Sequence, residues 1–431
     1  MKFRLETEFQ ETEVGKIPRE WKIVKLGDIA QIIMGQSPPS HTYNKDGVGL
    51  PFLQGKMEFG RIYPSPAMYT TQPIKIAEPN DVLISVRAPV GDVNIAPHKI
   101  CIGRGLAALR FDPKMANYMF YFYYFQFVKE RLEALGKGST FKAITKKDLN
   151  DLGTVYPPIN EQMIIAKTLL TVDKAIELYY EEKTKLEGLK KALMNRLLTG
   201  RIRVREEKGK LVFYRETQFQ ETEIGKIPKE WRVVKLKSIA VEIKSGFASG
   251  KRDEVDGTIH LRMFNISLDG MLSFDEIIKV PKPKNWRQYL LRHGDILLVN
   301  TSGSKEHIGK VAIFEDVKLE CTYSNHLTRI RIDENKVDSR WVYFVLYYLW
   351  QTGYFKSLVH QQAGGQRNIP LKAIENLPIM LPPTSEARKI AELLSMINTA
   401  MKLYHEERVR LDSLKKSLMD LLLTGKVRVV E

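Results

Sequence analysis

Two long segments of the chain carry apolar residues at the spacing of an α-helix. The first covers 156–205 and the second 381–431, and corresponding positions are 225 residues apart, as Pro157 and Pro382 are. A spacing of 3 and 4 residues sustained over several heptads predicts a coiled-coil seam. The predicted seam consists of Ile165, Leu169, Val172, Ile176, Tyr179, Leu186, Ile390, Leu394, Ile397, Met401, Tyr404 and Leu411, and it continues through Leu189, Leu193 and Leu197 and through Leu414, Leu418 and Leu422.

Each segment begins after a Pro-Pro pair and ends at Thr-Gly, which is typical of a helix C-terminus. About 40 residues at 1.5 Å each make a helix of roughly 60 Å. The linker that follows the first helix, about 15–20 residues, could run back along such a helix only if it were almost straight. We therefore expect the two helices to pair with each other in antiparallel orientation.

A phrase near the start of each half is repeated almost letter for letter. FQETEVGKIPREWKIVKL at 9–26 matches FQETEIGKIPKEWRVVKL at 219–236. The Gly and Pro of this phrase indicate a turn of the incoming chain. We predict that Trp21 and Trp231 anchor the start of each domain in its core and do not stack on bases.

Two divergent middles, roughly 27–155 and 237–380, lie between the repeated parts. Short β-branched runs broken by Gly and Pro predict strands. The aromatic runs at 118–128 and 341–350 are too short to span a bilayer and predict core elements. DVLISVR at 81–87 also resembles DILLVNT at 295–301, which indicates a shared scaffold.

The predicted fold class is α+β, with two tandem mixed α/β domains separated by a long antiparallel two-helix coiled coil in a pseudo-two-fold internal repeat. The predicted boundaries are 1–155 for the first domain, 156–205 for the first helix, 206–380 for the second domain with a linker at 206–218, and 381–431 for the second helix.

The composition is that of a folded protein of more than one domain, with 431 residues of which 43% are hydrophobic. Two cysteines, Cys101 and Cys321, cannot form a disulfide framework and fit a reducing compartment. The first residues contain no apolar signal-peptide core. We expect a cytoplasmic protein without a membrane partner.

The formal net charge of +16 indicates a polyanionic partner, with nucleic acid as the first candidate. Two similar domains related by a pseudo-two-fold axis suit double-stranded DNA with two different half-sites. Lys and Arg suit phosphates, and Gln, Asn and Arg suit base edges. The candidate DNA-binding residues are Gln36, Ser37, Arg87, Lys137, Ser139, Lys142 and Lys146 in the first half, and Lys251, Arg252, Asn300, Ser302, Lys305, Gln361, Gln362, Arg367 and Asn368 in the second.

The sequence contains no recognisable catalytic motif. GSKEHIGKV at 303–311 has the wrong glycine spacing for a phosphate-binding loop, and Val311 stands where that loop needs Ser or Thr. YPPIN at 156–160 only resembles the tetrapeptide of amino-methyltransferases, and the eight histidines show no metal-ligand spacing. We predict no catalytic residue and no metal site in this chain.

The arrangement resembles the DNA specificity (S) subunit of type I restriction–modification systems. The resemblance is carried by the G-K-I-P-x-x-W opening of each half, by PPINEQMIIA at the start of the first long helix and by LKKALMNRLLTGRIRV at its end. The second copy departs from the P-P-x-x-E-Q pattern, with Ala387 where the first copy has Gln162. This departure concerns only the local contacts of the helix entry.

The resemblance implies a non-catalytic subunit with two target recognition domains, each reading one half of a bipartite asymmetric site. It implies as partners two methyltransferase (modification) subunits and restriction or translocase subunits. It also places S-adenosylmethionine, ATP and magnesium on these partners, with no cofactor on this chain. The bases that are read do not follow from the sequence.

Two other functions compete with this interpretation. A coiled-coil adaptor could bind protein partners through its two globular domains, and such an adaptor would not show the steep salt dependence of DNA binding. A self-contained methyltransferase would methylate adenine without a partner subunit.

Overall fold

The computed structural model of the chain describes residues 2–136, 143–250, 254–315, 320–361 and 366–430. Within these ranges no helix is long and apolar enough to cross a membrane. The α-helices are α1 (Leu26–Ile29), α2 (Tyr118–Phe127), α3 (Lys129–Gly136), α4 (Lys146–Asn150), α5 (Ile159–Leu197), α6 (Ser339–Gln351), α7 (Leu371–Glu375) and α8 (Thr384–Leu423). The long helices α5 and α8 follow the two Pro-Pro pairs, as the apolar spacing predicts.

Short strands make up most of the remaining regular structure. The strands that precede α5 are β1 (Lys2–Leu5), β2 (Phe9–Thr12), β3 (Gly15–Pro18), β4 (Lys22–Lys25), β5 (Ala30–Met34), β6 (Tyr43–Asn44), β7 (Leu50–Leu53), β8 (Met68–Thr70), β9 (Ile76–Ala77), β10 (Val82–Ser85), β11 (Val93–Ile95), β12 (Ile100–Ile102), β13 (Leu106–Phe111) and β14 (Gly153–Tyr156).

The strands that follow α5 repeat much of this order. They are β15 (Ile202–Glu207), β16 (Lys210–Arg215), β17 (Phe219–Thr222), β18 (Gly225–Pro228), β19 (Arg232–Lys235), β20 (Ala240–Ser245), β21 (Thr258–Leu261), β22 (Lys279–Val280), β23 (Ile296–Val299), β24 (Thr301–Ser302), β25 (Val311–Ile313), β26 (Cys321–Tyr323), β27 (Leu327–Ile332), β28 (His360–Gln361), β29 (Arg367–Asn368), β30 (Pro378–Leu381) and β31 (Val427–Val430).

The chain divides into two compact units. Unit 1 contains Met1–Tyr179 and Glu407–Glu431, and unit 2 contains Tyr180–Glu406. Each unit therefore includes part of α5 and part of α8, whereas the boundaries predicted from the sequence place both helices in segments of their own.

Unit 1 is built on a four-stranded antiparallel sheet in the order β11-β10-β13-β5. A second sheet, β6-β8-β7-β12-β9, is mixed because β7 and β12 run parallel. The predicted aromatic core element is α2, which packs against β10 and β11. Its residues 119–125 are all buried, so the helix is covered on every face at its centre.

Unit 2 repeats the central sheet in the order β20-β27-β23-β25. The similar runs DVLISVR and DILLVNT form β10 and β23, each of which pairs with two antiparallel neighbours. Its second sheet is β22-β21-β26, in which β21 and β26 run parallel as β7 and β12 do. The aromatic helix is α6, and Trp341 at its start is fully buried with its indole N–H donating to the carbonyl of Met380 (2.7 Å). The predicted mixed α/β domains are confirmed.

The repeated phrase forms the same structure in both units. Strands β2 and β3, and β17 and β18, make antiparallel hairpins. Trp21 and Trp231 follow these hairpins and are each 1% exposed, which confirms their prediction as core anchors. Their indole nitrogens donate to buried carboxylates that begin the long helices, Trp21 to Glu161 (2.9 Å) and Trp231 to Glu386 (3.4 Å).

The Thr-Gly ends of the long helices pack against the same phrase. Gly425 has a φ of +70°, and a Cβ there would lie 2.4 Å from Cγ of Pro18. Gly200 of unit 2 has a φ of +66° and the same relation to Pro228, at 2.3 Å. Only glycine combines this left-handed backbone with so close an approach.

An arginine in the strand after each Thr-Gly joins three carboxylates. In unit 1 Arg428 donates to Glu161, to Glu6 (2.8 Å) and to Glu20 (2.9 Å). The backbone N–H of Glu8 and the Arg428 guanidinium lower the pKa of Glu6 to about 2 against the opposing effect of burial. The corresponding arginine of unit 2 is Arg203, which binds Glu386, Glu216 and Glu230.

The long helices meet end to start inside each unit. In unit 1 Ile165 and Leu169 of α5 share a core with Leu422 and Leu423 of α8. In unit 2 Leu197, the last residue of α5, and the following Leu198 share a core with Ile390 and Leu394 of α8. A coiled coil along the whole length of the helices stays a prediction.

Two residues of the continued seam were wrongly assigned. Leu189 and Leu414 are 48% and 47% exposed. Leu197 of the predicted seam is buried, and the buried face near the end of α5 also contains Lys190 and Met194. The apolar spacing placed Leu189 on the buried face because leucine is usually buried and lysine is not. In the structure the neighbouring Lys190 is buried and Leu189 is exposed.

The helix entries differ as the Gln162/Ala387 substitution predicts. The side chain of Gln162 is buried, accepts from the backbone N–H of Asn117 (2.9 Å) and donates to the carbonyl of Pro157 (2.8 Å). Ala387 is buried in the core of unit 2 and offers neither bond.

Candidate nucleic-acid interface

Four loops of unit 1 meet where β5, β7 and β10 end and where β13 begins. The backbone N–H of Gly35 donates to the carbonyl of Leu106 (2.9 Å), and that of Gly105 donates to the carbonyl of Gln54 (3.2 Å). The N–H of Val86 in turn donates to the carbonyl of Gly105 (2.9 Å). Main-chain hydrogen bonds therefore hold these loops together.

The polar side chains at this junction form what we call surface 1, which consists of Gln36, Ser37, Gln54, Arg87 and Arg104. All except Ser37 are exposed. Ser37 Oγ lies within hydrogen-bond distance of the Gln54 amide (3.0 Å to Nε2) and accepts the backbone N–H of Arg104 (3.3 Å). Surface 1 brings together the predicted residues Gln36, Ser37 and Arg87.

The corresponding loops of unit 2 meet through corresponding bonds. The N–H of Gly246 donates to the carbonyl of Leu327 (3.1 Å), and that of Asn300 donates to the carbonyl of His326 (3.0 Å). A Cβ on Gly246 would lie 2.1 Å from the carbonyl oxygen of Tyr323, as one on Gly35 would lie 2.1 Å from that of Gly103. The two divergent middle segments, 27–155 and 237–380, thus share an arrangement of loops that is not evident from their sequences.

Surface 2 is the equivalent surface of unit 2, and we define it as Phe247, Arg262, Asn325, Gln361, Arg367 and Asn368. Asn325 and Gln361 are exposed, and the other four are half-buried. Arg367 and Asn368 lie on β29, the central strand of the small sheet β24-β29-β28. The guanidinium of Arg367 donates to the carbonyl of Gly303, which ties β29 to the loop that carries the exposed Lys305.

Two candidate residues of unit 2 prove to be structural. Asn300 is 5% exposed, and its amide donates to the carbonyl of Asn325 (3.1 Å) and to Oγ1 of Thr328 (2.9 Å). Ser302 is 3% exposed, and its hydroxyl accepts the N–H of Ser304 (3.1 Å). Their prediction as contact residues is corrected, because polar residues that follow a buried strand satisfy the loop backbone and face away from solvent.

One candidate residue of unit 1 lies outside surface 1. Lys146 is the first residue of α4, which is capped by reciprocal bonds between Thr145 and Asp148. Its side chain is exposed. Six further candidates lie outside the described residues, namely Lys137, Ser139, Lys142, Lys251, Arg252 and Gln362.

A buried histidine supports the aromatic part of surface 2. The centre of the Phe247 ring lies 4.5 Å from that of His260 and 5.0 Å from that of Tyr289. Burial, with a smaller contribution from the Arg262 charge, lowers the pKa of His260 to about 4. The imidazole is therefore neutral at physiological pH, and Phe247 packs against an uncharged ring.

Sequence reasoning missed five residues of the two surfaces, namely Gln54, Arg104, Phe247, Arg262 and Asn325. Gln54 and Arg262 directly follow the buried strands β7 and β21, and Arg104 and Asn325 sit in the short turns before β13 and β27. A turn of GRG or SNH between two apolar strands was an available signal. Their convergence with the other loops was not, because it depends on strand pairing over long sequence distances.

The groups on both surfaces suit hydrogen bonding to nucleic-acid bases. Arginine matches guanine, and Asn or Gln matches adenine, through paired hydrogen bonds in the major groove. No group of three or more metal-ligating side chains occurs in the part of the chain that the structure describes. Both surfaces therefore present side chains that can hydrogen-bond to base edges.

Comparison with known proteins assigns this arrangement to a family. The family model for the type I restriction modification DNA specificity domain matches residues 18–188 and again residues 228–411. The chain belongs to this family. The two matched stretches are the two halves of the internal repeat, so both units contribute a DNA specificity domain.

Relatives in Methanocaldococcus jannaschii support the assignment. A protein described as the putative type I restriction enzyme MjaX specificity subunit is 54% identical over 199 residues, which cover 46% of this chain and 47% of that protein. The MjaVIII specificity subunit is 26% identical over 100% of this chain and 98% of its own length. The chain thus spans about half of the first relative and almost all of the second.

Solved structures show the same fold. The S subunit of a type I restriction–modification system from M. genitalium aligns with a TM-score of 0.63 at 17% identity, covering 93% of this chain and 96% of that one. A chain from a structural study of type I complex assembly and conformational transition aligns with a TM-score of 0.50 at 17% identity, covering 95% and 99%.

The family membership confirms the resemblance seen in the sequence. The chain is a DNA specificity subunit and not an enzyme in its own right. Specificity subunits of type I systems work on DNA together with modification and restriction subunits.

Proposed function

We propose that the chain reads a bipartite, asymmetric DNA site, with surface 1 contacting one half-site and surface 2 the other. The observation that carries the proposal is the pair of equivalent loop junctions, which Gly35 and Gly246 organise in the same way. The same frame presents Gln54 and Arg104 in unit 1 and Arg262 and Asn325 in unit 2. One frame with two sets of base-reading groups is what two unlike half-sites require.

The exposed arginines and amides are assigned to base edges, and the exposed lysines to phosphates. Each well-placed bidentate pair contributes about 1–3 kcal/mol of discrimination between bases. Phosphate contacts of Lys146 and Lys305, which are both exposed, add affinity without sequence preference.

We assign the long helices α5 and α8 to spacing and docking. In this proposal they form the predicted antiparallel coiled coil, set the separation of the two half-sites and bind two modification subunits. S-adenosylmethionine is held by those subunits, and restriction subunits bring ATP and magnesium. This chain supplies the sequence preference and the partners supply the chemistry.

A domain exchange tests the proposal. Residues 237–380 are replaced by the corresponding segment of another specificity subunit, and DNA modified by the hybrid with its modification subunits is sequenced for methylated adenine. We expect one half-site to change and the other to remain. A change in both half-sites, or in neither, contradicts the assignment of one half-site to each unit.

The protein-adaptor alternative predicts a different result. An adaptor binds DNA weakly and with little salt dependence, whereas contacts to several phosphates make the affinity fall steeply as salt increases. Measuring the affinity of the chain for its target duplex between about 50 and 200 mM salt distinguishes the two functions. The family membership gives the adaptor no support.

A further inference from the structure

A cavity of about 890 Å³ in unit 2 contains a buried lysine. Its walls are α5, the loop at 267–269, α6 and Met401 of α8. Lys190 is 3% exposed, and its ammonium group lies 4.3 Å from the centre of the Tyr347 ring. The cavity has the size and the mostly apolar lining of a small-molecule site.

The ammonium group of Lys190 has only part of its bonding capacity satisfied. It donates to the backbone carbonyl of Asp269 (2.8 Å), and no carboxylate of the described residues lies within ion-pairing distance. The carboxylate of Asp269 is engaged by Ser267 and lies 3.8 Å from Lys183. Burial lowers the pKa of Lys190 to about 8, although the charges of Asp269 and Glu187 oppose this effect.

The internal repeat shows what the same position binds elsewhere. The equivalent of Lys190, 225 residues later, is Lys415 in unit 1. Its ammonium group lies 2.9 Å from both carboxylate oxygens of Asp173, which is 1% exposed. Asp173 also accepts from Arg61 (2.8 Å) and Tyr123 (2.7 Å). In unit 1 the lysine at this position of the repeat therefore pairs with a buried carboxylate.

Unit 2 lacks that carboxylate. The residue equivalent to Asp173 is Asn398, whose Nδ2 lies 3.4 Å from the hydroxyl of Tyr343. Its buried Oδ1 accepts no hydrogen bond from the described residues. A neutral amide thus stands at the position where the repeat has an anion, and it lines a second cavity, which shares Ser267 and Asp269 with the cavity of Lys190.

The charged groups around the cavity leave a positive balance. Lys183, Lys190 and Lys191 line it together with Glu187 and Asp269. The apolar walls come from Leu268, Tyr347, Met194 and Met401. One negative charge on an apolar body complements both features.

We infer that this cavity binds a free small molecule consisting of an apolar chain or ring with a single carboxylate, which pairs with Lys190 as Asp173 pairs with Lys415. The apolar body lies against Tyr347 and the two methionines. The inference rests on unit 2 and its comparison with unit 1, and it does not depend on the proposed DNA-reading function.

Calorimetric titration of the full chain tests the inference, with octanoate as the probe and octanol as the uncharged match. We expect octanoate to bind at least tenfold more tightly than octanol. Lys190→Met should remove this preference, and Lys185→Met, at a residue of α5 whose side chain is 68% exposed, should keep it. Equal binding of the two probes, or unchanged octanoate binding by Lys190→Met, overturns the inference.

A second variant keeps the test decisive if Lys190→Met does not fold. Asn398→Asp restores the carboxylate of the repeat, so it should raise the melting temperature and weaken octanoate binding. Unchanged octanoate binding by this variant contradicts the inference. Octanoate binding should also persist after assembly with the modification subunits, and its loss there overturns a free ligand in favour of an acidic side chain of the partner.

Discussion

Arg428 donates two hydrogen bonds to Glu161, from Nε to Oε1 (2.7 Å) and from Nη2 to Oε2 (2.9 Å). Both side chains are 4% exposed. The pair joins the last strand of unit 1 to the first turn of α5, and Trp21 donates to the same carboxylate. Bidentate geometry and a third donor are the conditions under which a buried ion pair is well compensated.

Removing the arginine should therefore destabilise unit 1 strongly. Arg428→Ala leaves the Glu161 carboxylate buried without its main partner, and the expected loss is about 3–5 kcal/mol of unfolding free energy. Differential scanning calorimetry measures it. The exposed pair Lys16–Glu11 is the control, since Lys16→Ala should change stability by less than about 1 kcal/mol. Equal effects of the two substitutions would contradict the role given to Arg428.

Acid should weaken the same cluster over a defined range. The pKa of Glu6 is lowered from 4.5 to about 2 in the folded chain, chiefly by the N–H of Glu8 and also by Arg428. A lowered pKa means that the stabilisation is fully present above pH 4.5 and is lost as the pH falls toward 2. Glu6→Gln should flatten this part of the stability profile in chemical denaturation. A mutant profile parallel to that of the wild type between pH 4.5 and 2 would exclude Glu6 as its source.

Two glycines, one just after α8 and one within α5, should respond oppositely to alanine. Gly425→Ala forces a left-handed residue with a Cβ 2.4 Å from Pro18, so we expect a loss of about 1–2 kcal/mol from the backbone and a further loss from the overlap. Gly188→Ala lies within α5 with open space around it and should gain up to about 1 kcal/mol. Thermal unfolding of the two variants measures both signs, and a stabilising Gly425→Ala would refute the packing described.

These residues show how far the sequence reaches. The repeat and the apolar spacing predict the long helices and the anchoring tryptophans because both are written locally. Arg428 and Glu161 pair across 267 positions, and no local pattern marks either as the partner of the other. Asn300 looked like a contact residue for the opposite reason, since a polar side chain after a strand has the same appearance whether it faces solvent or satisfies its own loop.

Arg104 should contribute to sequence preference and not to general affinity. It is exposed on surface 1, and Arg104→Ala should cost about 1–3 kcal/mol for the specific site while leaving binding to unrelated DNA nearly unchanged. Lys114 is exposed beyond the other end of β13, and Lys114→Ala is the matched control, with no expected effect on preference. Competition binding with specific and random duplexes distinguishes them. Equal losses on both duplexes would reassign Arg104 to the phosphates.

If the long helices set the spacing, shortening them should change the gap between the half-sites and leave the half-site sequences unchanged. Removing one heptad from α5 and the corresponding heptad from α8 shortens each helix by about 10 Å. We expect the preferred gap between half-sites to shorten by about 3 base pairs, with both half-sites unchanged. Methylation-site sequencing of a library with variable gaps reads both properties. An unchanged gap would remove the helices from the proposed measuring role.

The prediction from sequence was weakest at the two surfaces. Gln54 and Arg104 come together because β12 runs parallel to β7 while β13 pairs with β5, and such crossings leave no trace in neighbouring letters. The glycine at 35 carried the best available signal, since a glycine after a buried strand indicates a close backbone approach. Only the structure shows that Gly35 packs against the carbonyl oxygen of Gly103.

The frame under each surface includes main-chain hydrogen bonds and one glycine in close contact with backbone, and Gln54 and Arg104 project from the frame of unit 1 as exposed side chains. Exchanging Gln54, Arg104 or their counterparts therefore leaves the folding free energy almost untouched. Selection can act on these positions without first restoring stability. Such a scaffold can drift from one target sequence to another in single viable steps, and its two copies can diverge independently within one gene.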